Sequence, residues 1–333
     1  MPLPLALTGR STPDPPSMAV LWSKRSRSML GVAICLLAVA VAGVPVTAQD
    51  QLPGPDAVTL TQARSGHTAT LLDDDYVLIA GGTDGQVELS SIEVIDPIGM
   101  AVEALGSLIV PRSGHTATLL RDGRILVAGG RASDSSLRDA ELLDPVSGLS
   151  ESTGAMRTAR ADHDAVLLDD GRVLIVGGLD GDAPVADGEL FDPLTSTFST
   201  AATPGAAHVG GTAMLLHDGS VLVTGGVDTA DPAQAEKQAA KKSQRKAKKK
   251  KKTRPAEPKV FAALYDPLAD RWAAVRGGGE PGGHEATLLV DGRVFIAGGP
   301  SASAQLYDPG AGTFTATADS AIVRTGQTAT TLA

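Results

Sequence analysis

The chain has 333 residues, of which 42% are hydrophobic and 20% are charged, and its formal net charge is −9. That apolar content suffices for a folded core and excludes a chain that is disordered throughout. Because only 3% of the residues are aromatic and there is one cysteine, the core must be built from aliphatic side chains, and a disulfide scaffold is excluded.

The N-terminal segment has the three parts of a secretory signal peptide. Three basic residues between 24 and 27 precede an almost wholly apolar run over 30–44, and small residues follow up to Ala48. This order is typical of an export signal, so we predict a leader over 1–48 and an extracytoplasmic location (periplasmic, secreted or at the cell surface) for 49–333. An uncleaved membrane anchor is the alternative, because the run is nearly long enough to span a bilayer, and it leaves the remainder on the same side.

Beyond the leader, one sequence unit recurs five times, marked by a histidine, a pair of glycines and an Asp-Pro dipeptide in that order. The first four glycine pairs are 48 residues apart and the fifth follows after 73. The glycine pairs are Gly81 and Gly82, Gly129 and Gly130, Gly177 and Gly178, Gly225 and Gly226, and Gly298 and Gly299. The histidines taken to open the units are His67, His115, His163, His208 and His284. Residues that recur in every unit are expected to serve the shared architecture.

Each unit is predicted to form four antiparallel strands, as the second unit illustrates. Residues 115–120 are β-prone, Asp122-Gly123 favours a two-residue type I′ turn, and 125–128 is continuously apolar, as in a strand buried on both faces. The glycine pair ends this strand, where neighbouring backbone would come too close for a Cβ. A third strand is predicted over 140–143 and a looser fourth before Arg160.

Four strands in 48 residues cannot bury both faces of a sheet, so the units must stack, and radial stacking gives a β-propeller. The unit resembles the kelch repeat: RSGHTATLL at 64–72, DGRILVAGG at 122–130 and AELLDP at 140–145 match its opening, diglycine and third strands. The resemblance covers about 57–333 and implies an all-β propeller of four-stranded kelch-type blades. Only the fourth unit has the Tyr and Trp that usually follow the diglycine, so aliphatic residues are expected to replace most of the family's aromatic packing.

The ends of the repeated region suggest additional strands. Residues 58–61 look like a fourth strand with no unit before it, and 324–332 looks like the opening strand of a sixth unit. We therefore expect five full repeats plus a partial sixth. The alternative is a closed ring of five blades with spare strands.

The extra residues of the fourth unit form a basic low-complexity segment, 236–259. It has 12 lysine and arginine residues against two acids. Its unbroken run is Lys248, Lys249, Lys250, Lys251 and Lys252. Outside this segment and the leader the charge is about −22, which argues against specific nucleic-acid binding by the blades. The segment itself would bind polyanions such as acidic glycans or envelope polymers, or it is a low-complexity expansion in a tolerant loop.

Arginines lie three residues before the opening position of four units: Arg64, Arg112, Arg160 and Arg324. In kelch domains that bind acidic peptides, arginines at this position line the ligand-facing mouth. The resemblance therefore implies a set of guanidinium groups on the same face as the basic segment, suited to carboxylates. The alternative is that these arginines pair with acids of the body. Gly205 and Pro281 are assigned to the matching positions of units four and five.

No catalytic residue, metal ligand or cofactor is predicted. The repeated histidines are expected to be structural, because every unit needs them. The acidic stretch with Asp180, Asp182 and Asp187 lacks EF-hand spacing. The fold also resembles that of galactose oxidase, but no cysteine follows the leader to form that enzyme's crosslinked tyrosine.

The preferred functional hypothesis is an exported, noncatalytic, monomeric kelch-type module that binds a protein, an acidic glycan or an envelope polymer through its inter-blade and second-to-third-strand loops. A periplasmic carbohydrate-active enzyme, similar to sugar mutarotases, is the first alternative. A structural envelope protein tethered by its lysine-rich segment is the second. Membrane contact is expected only through the N-terminal segment, if that segment is uncleaved.

Overall fold

The structure, a computed structural model, describes residues 58–204, 208–227, 260–275, 283–299, 303–318 and 323. The leader, the basic segment 236–259 with Lys248 to Lys252, and the predicted strand with Arg324 lie outside the described residues. All regular secondary structure in the described ranges is β-strand, and no helix there is long and apolar enough to cross a membrane.

Five four-stranded antiparallel sheets contain most of the strands. Sheet 1 consists of β1 (Thr68–Leu71), β2 (Val77–Ala80), β3 (Ser91–Asp96) and β4 (Ala101–Ser107). Sheet 2 consists of β5 (Thr116–Leu119), β6 (Ile125–Ala128), β9 (Ala140–Leu143) and β10 (Ser150–Ser152). Sheet 3 consists of β11 (Asp164–Leu167), β12 (Val173–Val176), β15 (Gly188–Asp192) and β16 (Thr197–Ala201).

The remaining two sheets repeat this topology. Sheet 4 consists of β17 (Thr212–Leu215), β18 (Val221–Val227), β19 (Val260–Asp266) and β20 (Arg271–Ala274). Sheet 5 consists of β21 (His284–Leu288), β22 (Val294–Gly298), β23 (Ala304–Asp308) and β24 (Thr313–Ala316). Short hairpins, β7 (Arg131–Ala132) with β8 (Ser135–Ser136) and β13 (Leu179–Asp180) with β14 (Ala183–Pro184), join the second and third strands of sheets 2 and 3. The four-stranded unit predicted from the sequence is confirmed.

Consecutive sheets pack face to face through aliphatic clusters. Leu78 and Ala80 of sheet 1 pack with Ile125 and Val127 of sheet 2, and similar clusters lie between each later pair of sheets. The second strands of sheets 1 to 3 are buried along their whole length, as their continuous apolar sequence predicts. The first strands of neighbouring sheets lie side by side and form what we call the inner edge.

Aromatic packing is more extensive than the sequence comparison predicted. Sheet 4 has the tilted pair of Tyr265 and Trp272, with ring centroids 4.9 Å apart. Equivalent pairs occur in sheet 3, where both rings are phenylalanine, and in sheet 5, where tyrosine packs on phenylalanine. The expectation that aliphatic residues replace most of this packing holds only for sheets 1 and 2. In sheets 3 and 5 phenylalanine replaces one or both members of the Tyr–Trp pair, and it fills similar space without a polar group.

The hairpin turn between the first two strands is not the predicted two-residue type I′ turn. The amide of Leu120 donates to the carbonyl of Arg124 at 2.8 Å, and the amide of Gly123 donates to the carbonyl of Leu120 at 3.0 Å. Only Gly123, at φ 85°, has a positive φ in this loop, whereas a type I′ turn needs two such residues. The loop therefore has three residues and uses its glycine in the left-handed conformation.

Residues 58–61 form no strand, which corrects the predicted spare strand at this end. The amide of Thr61 instead donates to the side chain of Glu93 at 2.9 Å. An outer strand needs a third strand to pair with, and no described strand precedes sheet 1.

Strand register corrects the assignment of the fourth unit. Thr212 pairs with Thr224 as Thr116 pairs with Ala128, so Gly211 occupies the position of the opening histidine. His208 then occupies the arginine position, and Gly205 is not its equivalent. The 48-residue interval therefore continues through this unit. His208 suggests a different register only because it has the same residue type as the opening position of the other units.

Candidate functional site

The face that carries the loops between sheets and the connections between second and third strands is here called the loop face. Arg112 precedes sheet 2 on this face, and its side chain is 0% exposed. Its Nη1 donates to the carbonyls of Gly129 at 2.8 Å and Asp139 at 3.0 Å. Its Nη2 donates to Oε1 of Glu141 at 2.6 Å. Arg112 therefore binds two backbone carbonyls and a carboxylate of its own sheet.

The same arrangement recurs in sheets 1 and 3. Arg160 donates to the carbonyl of Gly177 at 3.1 Å and to Glu189 at 2.9 Å. Arg64 contacts the carbonyl of Gly81 at 2.9 Å and forms an ion pair with Glu93. All three guanidinium groups are fully buried.

The glutamates also hold the loop that enters the sheet. Glu141 accepts the amides of Ile109 at 2.7 Å and Val110 at 3.0 Å, and Glu189 accepts those of Arg157 and Thr158. We call this arrangement the Arg–Glu latch. A buried ion pair persists only where further hydrogen bonds satisfy both partners, and here the backbone supplies them.

These contacts correct the ligand-binding role implied for Arg64, Arg112 and Arg160. Their side chains do not reach solvent, so they cannot present guanidinium groups to an acidic partner, and pairing with acids of the body is the arrangement found. The glutamates were not among the predicted site residues. They recur at 48-residue intervals, each 29 residues after its arginine, and that spacing could have identified them.

The opening histidines link neighbouring sheets. Nε2 of His115 shares a hydrogen bond with Thr68 Oγ1 across 3.1 Å, and His163 does so with Thr116 across 3.0 Å. His284 also contacts a threonine of the preceding sheet through Nε2, but this residue is Thr224 of the second strand, at 2.9 Å. The structure thus places these histidines in contacts between sheets.

The glycine pairs are required by the close approach of these histidines and of backbone. A Cβ on Gly129 would lie 2.5 Å from the carbonyl oxygen of Arg160 and 2.8 Å from the ring of His163. A Cβ on Gly130 would lie 2.7 Å from the carbonyl oxygen of Ser113. The predicted reason for the diglycine, close backbone approach, is confirmed.

Burial keeps the histidines neutral. Burial and the positive charge of Arg112 lower the pKa of His115 to about 3. Burial and Arg160 do the same to His163, whose pKa also falls to about 3. Both Nδ1 atoms are buried without a hydrogen-bond partner among the described residues, so an added proton would have no acceptor there.

Sheets 4 and 5 have other residues at both the arginine and the glutamate positions of the latch. In sheet 4 the arginine position is His208 and the glutamate position is Ala263, which pairs with Val223 as Glu141 pairs with Val127. In sheet 5 the corresponding residues are Pro281 and Gln305. The arginine and the glutamate are therefore replaced together in each of these sheets.

The inner edge has two carboxylic acids that do not recur in other sheets. Asp164 and Glu285 occupy the position held by threonine in sheets 1, 2 and 4, according to strand register. Burial and the charge of Glu285 raise the pKa of Asp164 to about 8. Burial raises the pKa of Glu285 to about 7. The pair can therefore hold and release protons near neutral pH.

Asp164 stands where sheets 1 and 2 have a threonine that contacts the next histidine. The histidine position opposite Asp164 is Gly211, so this contact between sheets is lost. The two carboxyl groups do not form a metal centre by themselves. No group of three or more potential metal ligands occurs in the part of the chain that the structure describes, and Asp187 of the acidic stretch pairs with Arg160 at 3.0 Å.

A cleft of about 480 Å³ lies between sheets 4 and 5, lined by residues 216–218, 291–293 and 308–310. Its carboxylates already have partners within their own turns. Asp218 accepts the hydroxyl of Ser220 at 2.6 Å, and Asp291 pairs with Arg293 at 2.6 Å. The aspartates of the turns are therefore turn formers here.

Comparison with known proteins agrees with the repeat. The model of the Kelch motif matches residues 165–205, which cover most of sheet 3, and no curated protein matches the chain. Among 437 matching chains of solved structures, that of "Structure of YjhT" is 15% identical, with a TM-score of 0.57, covering 80% of this chain and 86% of that one. Residues 165–205 therefore contain a Kelch motif, and the repeated four-stranded sheets have the fold of a kelch-type β-propeller.

Proposed function

We propose that the protein is an exported, noncatalytic binding module whose partner contacts the loop face at sheets 4 and 5. One observation carries the proposal: the repeated arginines and glutamates of this face are buried in the latches of sheets 1 to 3, and both latch positions are replaced in sheets 4 and 5. Repeated residues serve architecture, so specificity is expected where the repeat departs. Export rests on the leader predicted from the sequence.

The charge of the body favours a cationic partner over an acidic one. Outside the leader and the basic segment the chain carries about −22, and the three latch arginines are already neutralised by glutamates. A positively charged partner would be attracted over the Debye length of about 8 Å at physiological ionic strength. The basic segment is inserted between the second and third strands of sheet 4 and would repel a cationic partner there. A cationic partner is therefore favoured at sheet 5, and anion binding is left to the lysine-rich segment of sheet 4.

A capture experiment tests the module. Mature protein, residues 49–333, would be immobilised and exposed to envelope extract across a salt series. Ser303→Trp, in the second-to-third-strand connection of sheet 5, should reduce capture at least tenfold. The matched Asp84→Trp, in the same connection of sheet 1, should leave it unchanged. Equal capture by both variants, with unchanged thermal stability, would place the partner elsewhere and refute the proposal.

A second candidate function is acid–base catalysis at the inner edge, as in a carbohydrate-active enzyme. It is favoured by Asp164 and Glu285, which do not recur and whose pKa values are raised to about 8 and about 7. A protonated acid and a second group that ionises near neutrality on the same inner edge suit proton transfer to and from sugar hydroxyls.

Sugar turnover by purified protein tests this candidate. Asp164→Asn and Glu285→Gln should each lower the rate by about 10²–10⁴-fold, the usual contribution of a general acid or base. Thr212→Ser, the equivalent position of sheet 4, is the control and should retain the rate. Absence of turnover over a panel of mono- and disaccharides would favour the binding module.

The basic segment suggests a separate tethering role, supported by its 12 lysine and arginine residues. Deletion of 236–259 should release the protein from envelope fractions at low salt, because electrostatic binding to polyanions depends on these charges. Retention of the deleted protein in those fractions would exclude the tether.

A further inference from the structure

Sheets 1 to 3 each contain a binding site for a guanidinium group, and they define what such a site needs. In sheet 2 the acceptors are the carbonyl of Gly129 at 2.8 Å, the carbonyl of Asp139 at 3.0 Å and Oε1 of Glu141 at 2.6 Å. Sheets 1 and 3 have the same acceptors at the same repeat positions. The fold itself therefore arranges a guanidinium site at this point of a sheet.

Sheet 4 shows what happens when the donor is lost together with its acceptor. The glutamate position there is Ala263, which has no polar side-chain atom, so no side-chain acceptor is left buried. Loss of the arginine is matched by loss of the acceptor, as expected from the cost of burying a polar group without a hydrogen bond.

Sheet 5 keeps the acceptor but not the donor. Gln305 pairs with Ile296 as Glu141 pairs with Val127, so its side chain starts from the glutamate position. The arginine position is Pro281, which has no side-chain donor. Oε1 of Gln305 is buried and has no hydrogen-bond partner among the residues that the structure describes.

The connection over this position is also shorter in sheet 5. From the first glycine of the pair to the start of the third strand, the chain runs from Gly129 to Ala140 in sheet 2 but only from Gly298 to Ala304 in sheet 5. Sheets 2 and 3 use the longer connection to form the hairpins β7–β8 and β13–β14. The connection of sheet 5 is therefore five residues shorter in sequence, and its residues 300–302 lie outside the described ranges.

We propose that sheet 5 binds the guanidinium group of an arginine side chain supplied by a polypeptide partner, with Gln305 Oε1 and the carbonyl of Gly298 as acceptors. The proposal rests on the proposed function, because it places the partner on the same loop face. A guanidinium is favoured over an ammonium because the repeated site is built for a planar group with several donors. A neutral amide in place of a carboxylate makes the contact weaker than a latch and therefore reversible.

The first experiment calibrates the site in sheet 2. Arg112→Ala removes a guanidinium from a known acceptor set. Guanidinium chloride at non-denaturing concentrations should raise the melting temperature of this variant relative to equal sodium chloride, but not that of the wild type. Failure of rescue would show that the acceptors alone do not select a guanidinium, and would overturn the proposal.

The second experiment tests sheet 5 in the mature protein with N-acetyl-arginine amide as the probe and N-acetyl-lysine amide as its control. Chemical-shift titration of the Gln305 side-chain amide should show arginine binding at least tenfold tighter than lysine. Gln305→Glu should tighten arginine binding about tenfold, because a charged acceptor forms the stronger bond, and Gln305→Leu should abolish it. Both changes keep side-chain size, and their melting temperatures verify folding.

Equal binding of the two probes would indicate general attraction to an acidic body and would refute the site. So would unchanged arginine binding in Gln305→Leu.

Envelope capture separates this inference from the proposed function. If capture persists and responds to Ser303→Trp while the Gln305 variants behave as wild type, only the guanidinium site fails. If capture itself is absent, the proposed function fails.

Discussion

Sheets 1 to 3 and sheets 4 and 5 share one topology, but they differ in how the third strand is held to the loop that enters the sheet. In the first group a buried arginine and a buried glutamate make this connection. In the second group neither residue is present. Since strand pairing and the aliphatic clusters are common to both groups, the latch is an addition to the fold and not a condition for forming a sheet.

The difference between the two groups of sheets shows how a latch can be lost without leaving a buried charge. A latch cannot be lost one residue at a time without leaving a buried charge unpaired. Paired replacement avoids that state, as sheet 4 does with His208 and Ala263. Sheet 5 differs from sheet 4, because Gln305 keeps a polar group at the glutamate position. This remaining acceptor is why a ligand is proposed for sheet 5.

Replacing Arg112 with alanine should have the largest effect on stability, because it leaves Glu141 buried and unpaired in sheet 2. The expected loss in the free energy of unfolding is about 3–5 kcal/mol, measured by urea denaturation. The control is Arg124→Ala, which removes an ion pair with Asp122 whose arginine side chain is 37% exposed and should cost less than about 1 kcal/mol.

Replacing both members of the latch sharpens this test. Arg112→Met with Glu141→Leu imitates the paired loss seen in sheet 4, and should cost less than Arg112→Ala alone, since no unpaired charge remains. A double variant as unstable as the single variant would contradict the role assigned to the buried pair.

Gly129→Ala should cost about 2–4 kcal/mol, because its Cβ would lie 2.5 Å from the carbonyl oxygen of Arg160 and its φ is +61°. Gly123→Ala is the matched control. Its φ is +85° but nothing lies within 4 Å of its Cβ, so only backbone strain of about 1 kcal/mol is expected. Equal losses in thermal unfolding experiments would mean that close contact between sheets does not select the diglycine.

The sequence predicted those features that follow from local pattern. Continuous apolar runs located the buried second strands, and the 48-residue interval located four of the five glycine pairs. The apolar stretch at 125–128 corresponds residue for residue to β6. These succeed because a strand buried on both faces strongly favours apolar residues, and a glycine at positive φ has few substitutes.

The environment of the charged side chains could not be predicted in the same way. Arg112 was compatible with either an exposed or a paired side chain until Glu141, 29 residues away, was shown to lie against it. The prediction for His208 is wrong because a histidine occupies the arginine position of sheet 4, so residue type and repeat interval indicate different positions. The inner-edge pair of Asp164 and Glu285 depends on contacts between sheets, about which the local sequence says nothing.

The buried histidines should make stability fall at low pH. The pKa of His163 is lowered to about 3, whereas that of an unfolded histidine is about 6.5. As the pH falls below about 6.5 the unfolded chain takes up the proton first, so stability is lost at about 1.4 kcal/mol per pH unit for each such histidine. His163→Gln should flatten this dependence between pH 7.5 and 5 in urea denaturation. An unchanged slope would show that His163 is protonated in the folded state.

Asp164 should give the opposite and smaller dependence, because its pKa is raised to about 8 from about 3.9 in an unfolded chain. The folded state then holds a proton that the unfolded chain has released, so stability is lost as the pH rises from about 4 to about 8. Asp164→Asn cannot ionise, and its stability relative to the wild type should therefore rise with pH across this window. The gain should stay below about 1.4 kcal/mol per pH unit, since the side chain is only partly shielded from water.

Thr212→Asn, at the same position of sheet 4, controls for this change and should shift stability by an amount that does not depend on pH. Glu285→Gln should lower the titration midpoint of Asp164, measured by carboxyl NMR, because it removes the negative charge that helps to raise that pKa. A midpoint for Asp164 near 4 in the wild type would mean that its carboxyl is solvated like any surface acid. The inner edge of sheets 3 and 5 would then have no acid–base character to set it apart from the threonines of sheets 1, 2 and 4.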